Sequence, residues 1–151
     1  MRINLVIIVK LVIMYYIKLI MKNTIFKLTE YVYYFSLLVL LILYLFPGSL
    51  IGYFLYGDLG QQPNLIINPI GTSINHLIFF SYITILAIIV SLRVKNIFTN
   101  YKVILIISCI LEILHLIVPN RAFELYDLIA NIAGVVIVLL CNRFIKWQKK
   151  F

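Results

Sequence analysis

Seven polar side chains carry most of the chemistry open to this chain: Asn75, His76, Glu112, His115, Arg121, Asp127 and Asn131. Glu112, His115 and Pro119 fall within about 60° of one another if their segment is helical, so they share one face. Asp127, Asn131 and Gly134 repeat at i, i+4 and i+7, and share a face of the next segment. A carboxylate with two imidazoles suits general acid–base chemistry, because histidine titrates near neutrality. A guanidinium suits an anionic group such as a phosphate. Glu112-x-x-His115 is an i, i+3 pair of the kind that ligates metal in bundles. One such pair, even with His76, is too little to assign a metal, and no cofactor is expected. The GxSxG, HExxH, P-loop and GxGxxG signatures are all absent, which removes the enzyme classes built on them.

Each residue also has a purely structural reading. Asp127 suits the first turn of a helix, where the dipole favours negative charge. Glu112 and Arg121 would make an ion pair locking a helical hairpin. Asn131 would join helices by hydrogen bonding, and Pro119 and Gly134 would serve packing, the glycine at a close approach. His76 and His115 would be hydrogen-bonded packing residues. A structural pair accounts for two residues, however, and seven are grouped here.

The elements that position them are apolar. The chain has 151 residues, 64% hydrophobic and 12% charged, with a mean hydropathy of +1.11. A soluble domain of this length carries about 25% charged residues. A membrane span needs about 20 apolar residues, and four runs qualify, at about 28–46, 73–92, 102–118 and 124–142. Pro47-Gly48 stops the first, Thr72-Ser73 supplies N-cap types for the second, and Pro119 closes the third. A fifth run, 3–21, is interrupted by Lys10 and Lys18. It reads equally as a membrane helix with snorkelling lysines, an amphipathic surface helix, or an over-long start preceding Met21. The stretch 47–71 is too apolar for a free loop and is expected to lie on the outer surface as a lid or shallow re-entrant, with Pro63 and Pro69 leading back to the second span. Cys109 and Cys141 lie in apolar runs and form no disulfide framework.

The net charge of +8 does not point to nucleic acid. Lysines and arginines cluster before the first span, between the second and third, and after the fourth. That alternation puts the 47–71 loop and the 119–123 turn outside and the C-terminus in the cytoplasm. The seven polar residues then share one depth, the outer leaflet.

The order Glu112-x-x-His115, Pro119-x-Arg121, Asp127-x-x-x-Asn131-x-x-Gly134 resembles the signature of the VanZ-like family, and Asn75-His76 followed by aromatics looks like that family's first block. The likeness covers about 28–142. It departs from the family at His115, usually Gln, and at Thr72-Ser73, usually Asp-Lys. The resemblance implies a small bacterial multi-pass protein of the plasma membrane. The family's namesake is associated with low-level teicoplanin resistance, a function the resemblance does not carry over.

The expectation is therefore an all-α transmembrane bundle. It has an N-terminal apolar and basic segment at 1–27, a domain of four core transmembrane helices at 28–146, and a basic cytoplasmic tail at 147–151. Its polar pocket of His76, Glu112, His115, Arg121, Asp127 and Asn131 is expected to meet membrane lipids, a lipid-linked envelope precursor or another membrane protein. The alternatives are a membrane-embedded transferase or hydrolase and a structural membrane partner.

Overall fold

The computed structural model describes the backbone of residues 5–62 and 71–150 and the side chains of 13–62, 71 and 73–150. Pro63, Pro69 and the side chains of Lys10 and Thr72 lie outside the described residues. The described residues form five helices: α1 (Leu5–Leu45), α2 (Leu50–Tyr56), α3 (Gly71–Ser91), α4 (Tyr101–Leu114) and α5 (Leu125–Gln148). No strand occurs among the described residues.

The first helix runs through residue 27 without a break. Leu5–Leu45 contains neither proline nor glycine, so nothing breaks the hydrogen-bond ladder and α1 runs unbroken for 41 residues. At 1.5 Å per residue that is about 60 Å, twice the roughly 30 Å of a bilayer core. Residues 13–25 are exposed on every side. Packing begins further along, on a stripe of Tyr33, Ser36, Leu40 and Tyr44, all buried. These positions recur every three or four residues and so form one face.

The chain then turns at Gly48, whose φ of 83° is open to glycine at little cost. Ser49 caps α2 by accepting the Gly52 N–H at 2.9 Å, and the Ser49 N–H donates to the Leu59 carbonyl at 2.7 Å. A Cβ on Gly52 would lie 1.6 Å from the Gln61 carbonyl oxygen, so only glycine lets the returning chain pass there. Tyr53, Phe54, Leu55 and Tyr56 face outward.

The most extensive helix pairing is α3 on α5. It closes on Gly134, where a Cβ would come within 2.5 Å of the Leu77 carbonyl oxygen. The core joins Tyr33, Leu40 and Tyr44 to Phe80, Ile83, Ala87 and Val90, and to Ile104, Leu111 and Val135. These residues come from α1, α3, α4 and α5.

Helix ends differ from the sequence expectation. Helix α3 starts at Gly71, so Ser73 sits inside it and does not cap it. Helix α4, capped by Asn100 accepting the Lys102 N–H at 3.0 Å, stops at Leu114. Beyond it, His115, Leu116 and Ile117 donate to carbonyls three residues back, a tighter winding than α. Proline has no N–H to give and crowds the carbonyl four residues before it, so Pro119 cannot prolong the helix. Helix α5 continues to Gln148, past the expected end at 142 and through the start of the basic tail.

Among the described residues the all-α class holds, and three helical stretches are long and apolar enough to cross a membrane: Ile13–Leu45, Ser73–Ser91 and Leu125–Gln148. The expected fourth, α4, has 14 residues, about 21 Å at the helical rise, and falls short by length.

Candidate functional site

Four helix ends meet at one end of the bundle. Tyr44 is the penultimate residue of α1, His76 the sixth of α3, Glu112 the third from last of α4, and Asp127 the third of α5. The i+4 step from Asp127 brings Asn131 inward on the same face. Glu112 and Asn131 are fully buried, Asp127 and His115 nearly so.

Buried polar groups must be satisfied, and here they satisfy one another. The Tyr44 hydroxyl donates to Asn131 Oδ1 at 2.9 Å and lies 2.7 Å from His76 Nδ1. Asn131 Nδ2 donates to the Ser108 carbonyl at 3.3 Å and to Glu112 Oε2 at 3.4 Å. Glu112 Oε1 accepts the backbone N–H of Glu124 at 3.3 Å and faces His115 Nδ1 at 3.3 Å. Asp127 Oδ1 accepts the Ser73 hydroxyl at 2.6 Å, while its Oδ2 lies 3.4 Å from His76 Nε2. The His115 ring stacks on Tyr44 with centroids 5.2 Å apart.

Protonation follows from donor counts. Tyr44 has one hydroxyl proton, and the Asn131 carbonyl oxygen takes it. At the 2.7 Å contact the imidazole must then be the donor, so His76 carries its proton on Nδ1. Asn131 Oδ1 at 3.2 Å and Glu112 Oε2 at 3.7 Å face the same nitrogen.

Arg121 takes another place than the expected pair. Among the described residues, neither Glu112 nor Asp127 has an arginine or lysine within ion-pairing distance; each is paired with histidine. Arg121 Nη2 instead donates to the Leu43 carbonyl at 2.7 Å, and its Nε reaches the Phe46 carbonyl at 3.5 Å. The last carbonyls of a helix lack partners within it and carry partial negative charge, and Arg121 supplies both needs for α1. Burial pulls the Arg121 pKa down from its ordinary value, with Tyr44, Glu112 and Asp127 opposing.

Two adjoining cavities open beside the network. One, of about 300 Å³, is lined by Gln62, His76, His115, Asn120, Arg121, Ala122, Glu124 and Asp127. The other, of about 110 Å³, adds Tyr44, Asn75 and apolar walls from Leu40, Leu43, Leu50, Ile51 and Phe79. Gln62, His76, His115 and Arg121 line both.

Of the residues singled out in the sequence, His76, Glu112, His115, Asp127 and Asn131 form one network, Arg121 lines its cavity, and Gly134 lies three residues beyond at the α3–α5 crossing. Tyr44, Ser73 and Ser108 also belong to it. The sequence reading missed them; the one signal for each was spacing, Tyr44 closing the stripe of Tyr33, Ser36 and Leu40, and Ser73 standing three residues before His76 on one helical face.

Family models, curated proteins and solved structures give no match to the chain. The described residues are all helical or loop, with three helices long and apolar enough to cross a membrane, compatible with an integral membrane protein.

Proposed function

We propose that this is a VanZ-like multi-pass protein of a bacterial plasma membrane that binds the anionic head group of an envelope lipid or lipid-linked precursor. The observation that carries the reading is the pair of joined cavities. Arg121 and two imidazoles line the polar one, and an apolar chamber walled by Leu40, Leu43, Leu50, Ile51 and Phe79 adjoins it. A lipid has that same division, a charged head beside an apolar chain. Helix α2 and Gln62 border the chamber, as a covering segment at a membrane surface would. The alternation of basic residues puts this end of the bundle outside and the C-terminus in the cytoplasm.

Helix α4 with the turns to Pro119 makes the fourth crossing in this reading. Ile106, Ile110, Ile113, Leu116 and Ile117 are exposed along it, an apolar surface suited to lipid.

Mass spectrometry of lipids co-purifying with the full chain tests the proposal. Wild-type protein is expected to retain an anionic lipid, and Arg121→Gln to retain at least tenfold less while keeping its helical circular dichroism. Equal retention by the two proteins would remove the guanidinium from the site and the head-group reading with it.

A second reading, a membrane-embedded transferase or hydrolase on a lipid-linked substrate, is favoured by His76 standing between Glu112 and Asp127 at 3.7 and 3.4 Å. That setting suits proton transfer. Turnover of added lipid-linked substrate by purified protein, lost in His76→Ala, would favour it over binding alone.

A further inference from the structure

The geometry points to a divalent-cation site of the zinc class, held by His76, Glu112 and Asp127. The sequence alone assigned no metal, because its one ligand-like spacing is Glu112-x-x-His115, and two of these three residues lie on other helices. In the fold, one ligand atom from each of the three lies within 4.8 Å of the others. Imidazole together with carboxylate suits zinc and its first-row neighbours. Three protein ligands with a position left open is the arrangement of zinc sites that act on a bound group.

Three further observations support it. The first is the tautomer of His76. Its Nδ1 proton is committed to Tyr44, so in the neutral ring Nε2 presents a lone pair to Asp127 Oδ2, 3.4 Å away. Two acceptors do not face each other unless a cation or a proton lies between them. Ligands about 2.0–2.1 Å from a tetrahedral zinc stand about 3.3 Å apart, close to the His76–Asp127 separation; Glu112 Oε2, 3.7 Å from His76 Nδ1, would turn toward Nε2 to complete the set. Metal-binding histidines also hold their other nitrogen in a hydrogen bond that fixes the ring, as Tyr44 and Asn131 do here.

The second is His115. Its ring is 4% exposed and lines the same cavity as His76 and Asp127. Its Nδ1 faces Glu112, and its Nε2 is buried with no hydrogen-bond partner among the described residues. A buried nitrogen without a partner calls for a bound water or ion beside it, and His115 stands next to the three converging residues without being one of them. The third is charge. Two buried carboxylates sit beside imidazoles without a lysine or arginine in ion-pair reach among the described residues. A divalent ion would balance both.

The inference rests on the head-group reading only in its consequence, that a phosphate oxygen of the ligand would fill the open position. The test uses zinc alone. Full-length protein, its tag removed, is stripped with chelator and titrated with Zn²⁺ in detergent, with bound metal counted by mass spectrometry. One zinc per chain is expected, with X-ray absorption showing imidazole among nitrogen and oxygen ligands. His76→Ala and Asp127→Asn are each expected to weaken binding at least tenfold. Arg121→Gln is expected to bind zinc as the wild type does, so that unchanged lipid retention in this variant, with zinc binding intact, condemns the head-group reading alone. Failure of the wild type to bind zinc, or bound zinc without an imidazole ligand, would overturn the site even if the variants do not fold. So would binding unchanged in folded His76→Ala and Asp127→Asn.

Discussion

Glu112→Ala is expected to cost about 3 kcal/mol of stability or more, since each buried polar group left unmet costs about 1–3 kcal/mol. The carboxylate is fully buried and answers four groups: His115 Nδ1, the Glu124 N–H, Asn131 Nδ2 and His76 Nδ1. Alanine leaves all four without it in a place that water does not reach. Those groups belong to the α4 end, the entry to α5, the body of α5 and the start of α3, so the damage spreads across the bundle. Glu112→Gln keeps the shape and one acceptor oxygen, and is expected to lose about 1–3 kcal/mol, the cost of leaving a buried donor unmet. Thermal unfolding of the detergent-solubilised protein measures both. Unfolding of Glu112→Ala at the wild-type temperature would mean that the network contributes nothing to the fold.

The second large effect is steric. Gly134→Leu is expected to separate α3 from α5, the most extensive pairing in the molecule. Even the first carbon of the new side chain would meet the Leu77 carbonyl oxygen at 2.5 Å and the Ser81 backbone nitrogen at 3.1 Å. Backbone cannot swing aside as a long side chain can. Overpacking costs about 1–3 kcal/mol where side chains can adjust, and here the helix itself must move, so the upper end applies. Ser81, whose hydroxyl donates to the Gly134 carbonyl at 3.2 Å, would lose that bond too. The measurement is again thermal unfolding, with Gly134→Ala expected to lie between the two. Stability equal to the wild type would show that the helices do not cross there.

Helical periodicity explains what the sequence disclosed. The i, i+3 and i, i+4 spacings of Glu112, His115, Asp127 and Asn131 place them on single faces in any α-helix, and the apolar runs leave them few places to go but inward. That His76 joins them follows from alternating helix direction, which brings the starts of α3 and α5 beside the ends of α1 and α4. Pair choices were not legible. By charge alone Arg121 belongs with Glu112, but the fold offers it the bare carbonyls of Leu43 and Phe46. Those acceptors belong to every helix end and leave no mark in the sequence. Tyr44 and Ser73 were hidden by type, since tyrosine near a span end reads as an interfacial anchor and serine at a helix start reads as a cap. Membership of α1 was equally hidden. Lys10 and Lys18 disfavour a span beginning near residue 5, yet neither breaks a helix, and hydrogen bonding carries the ladder straight through them.

The most direct measurement of the convergence itself is a double-mutant cycle between His76→Ala on α3 and Asp127→Ala on α5, read by thermal unfolding. Side chains in contact across two helices give a coupling of about 0.5–3 kcal/mol, and the 3.4 Å approach of Nε2 to Oδ2 predicts a value in that range, whether a proton or a metal ion lies between them. Losses that simply add, to within about 0.3 kcal/mol, would place the two residues apart and contradict the site.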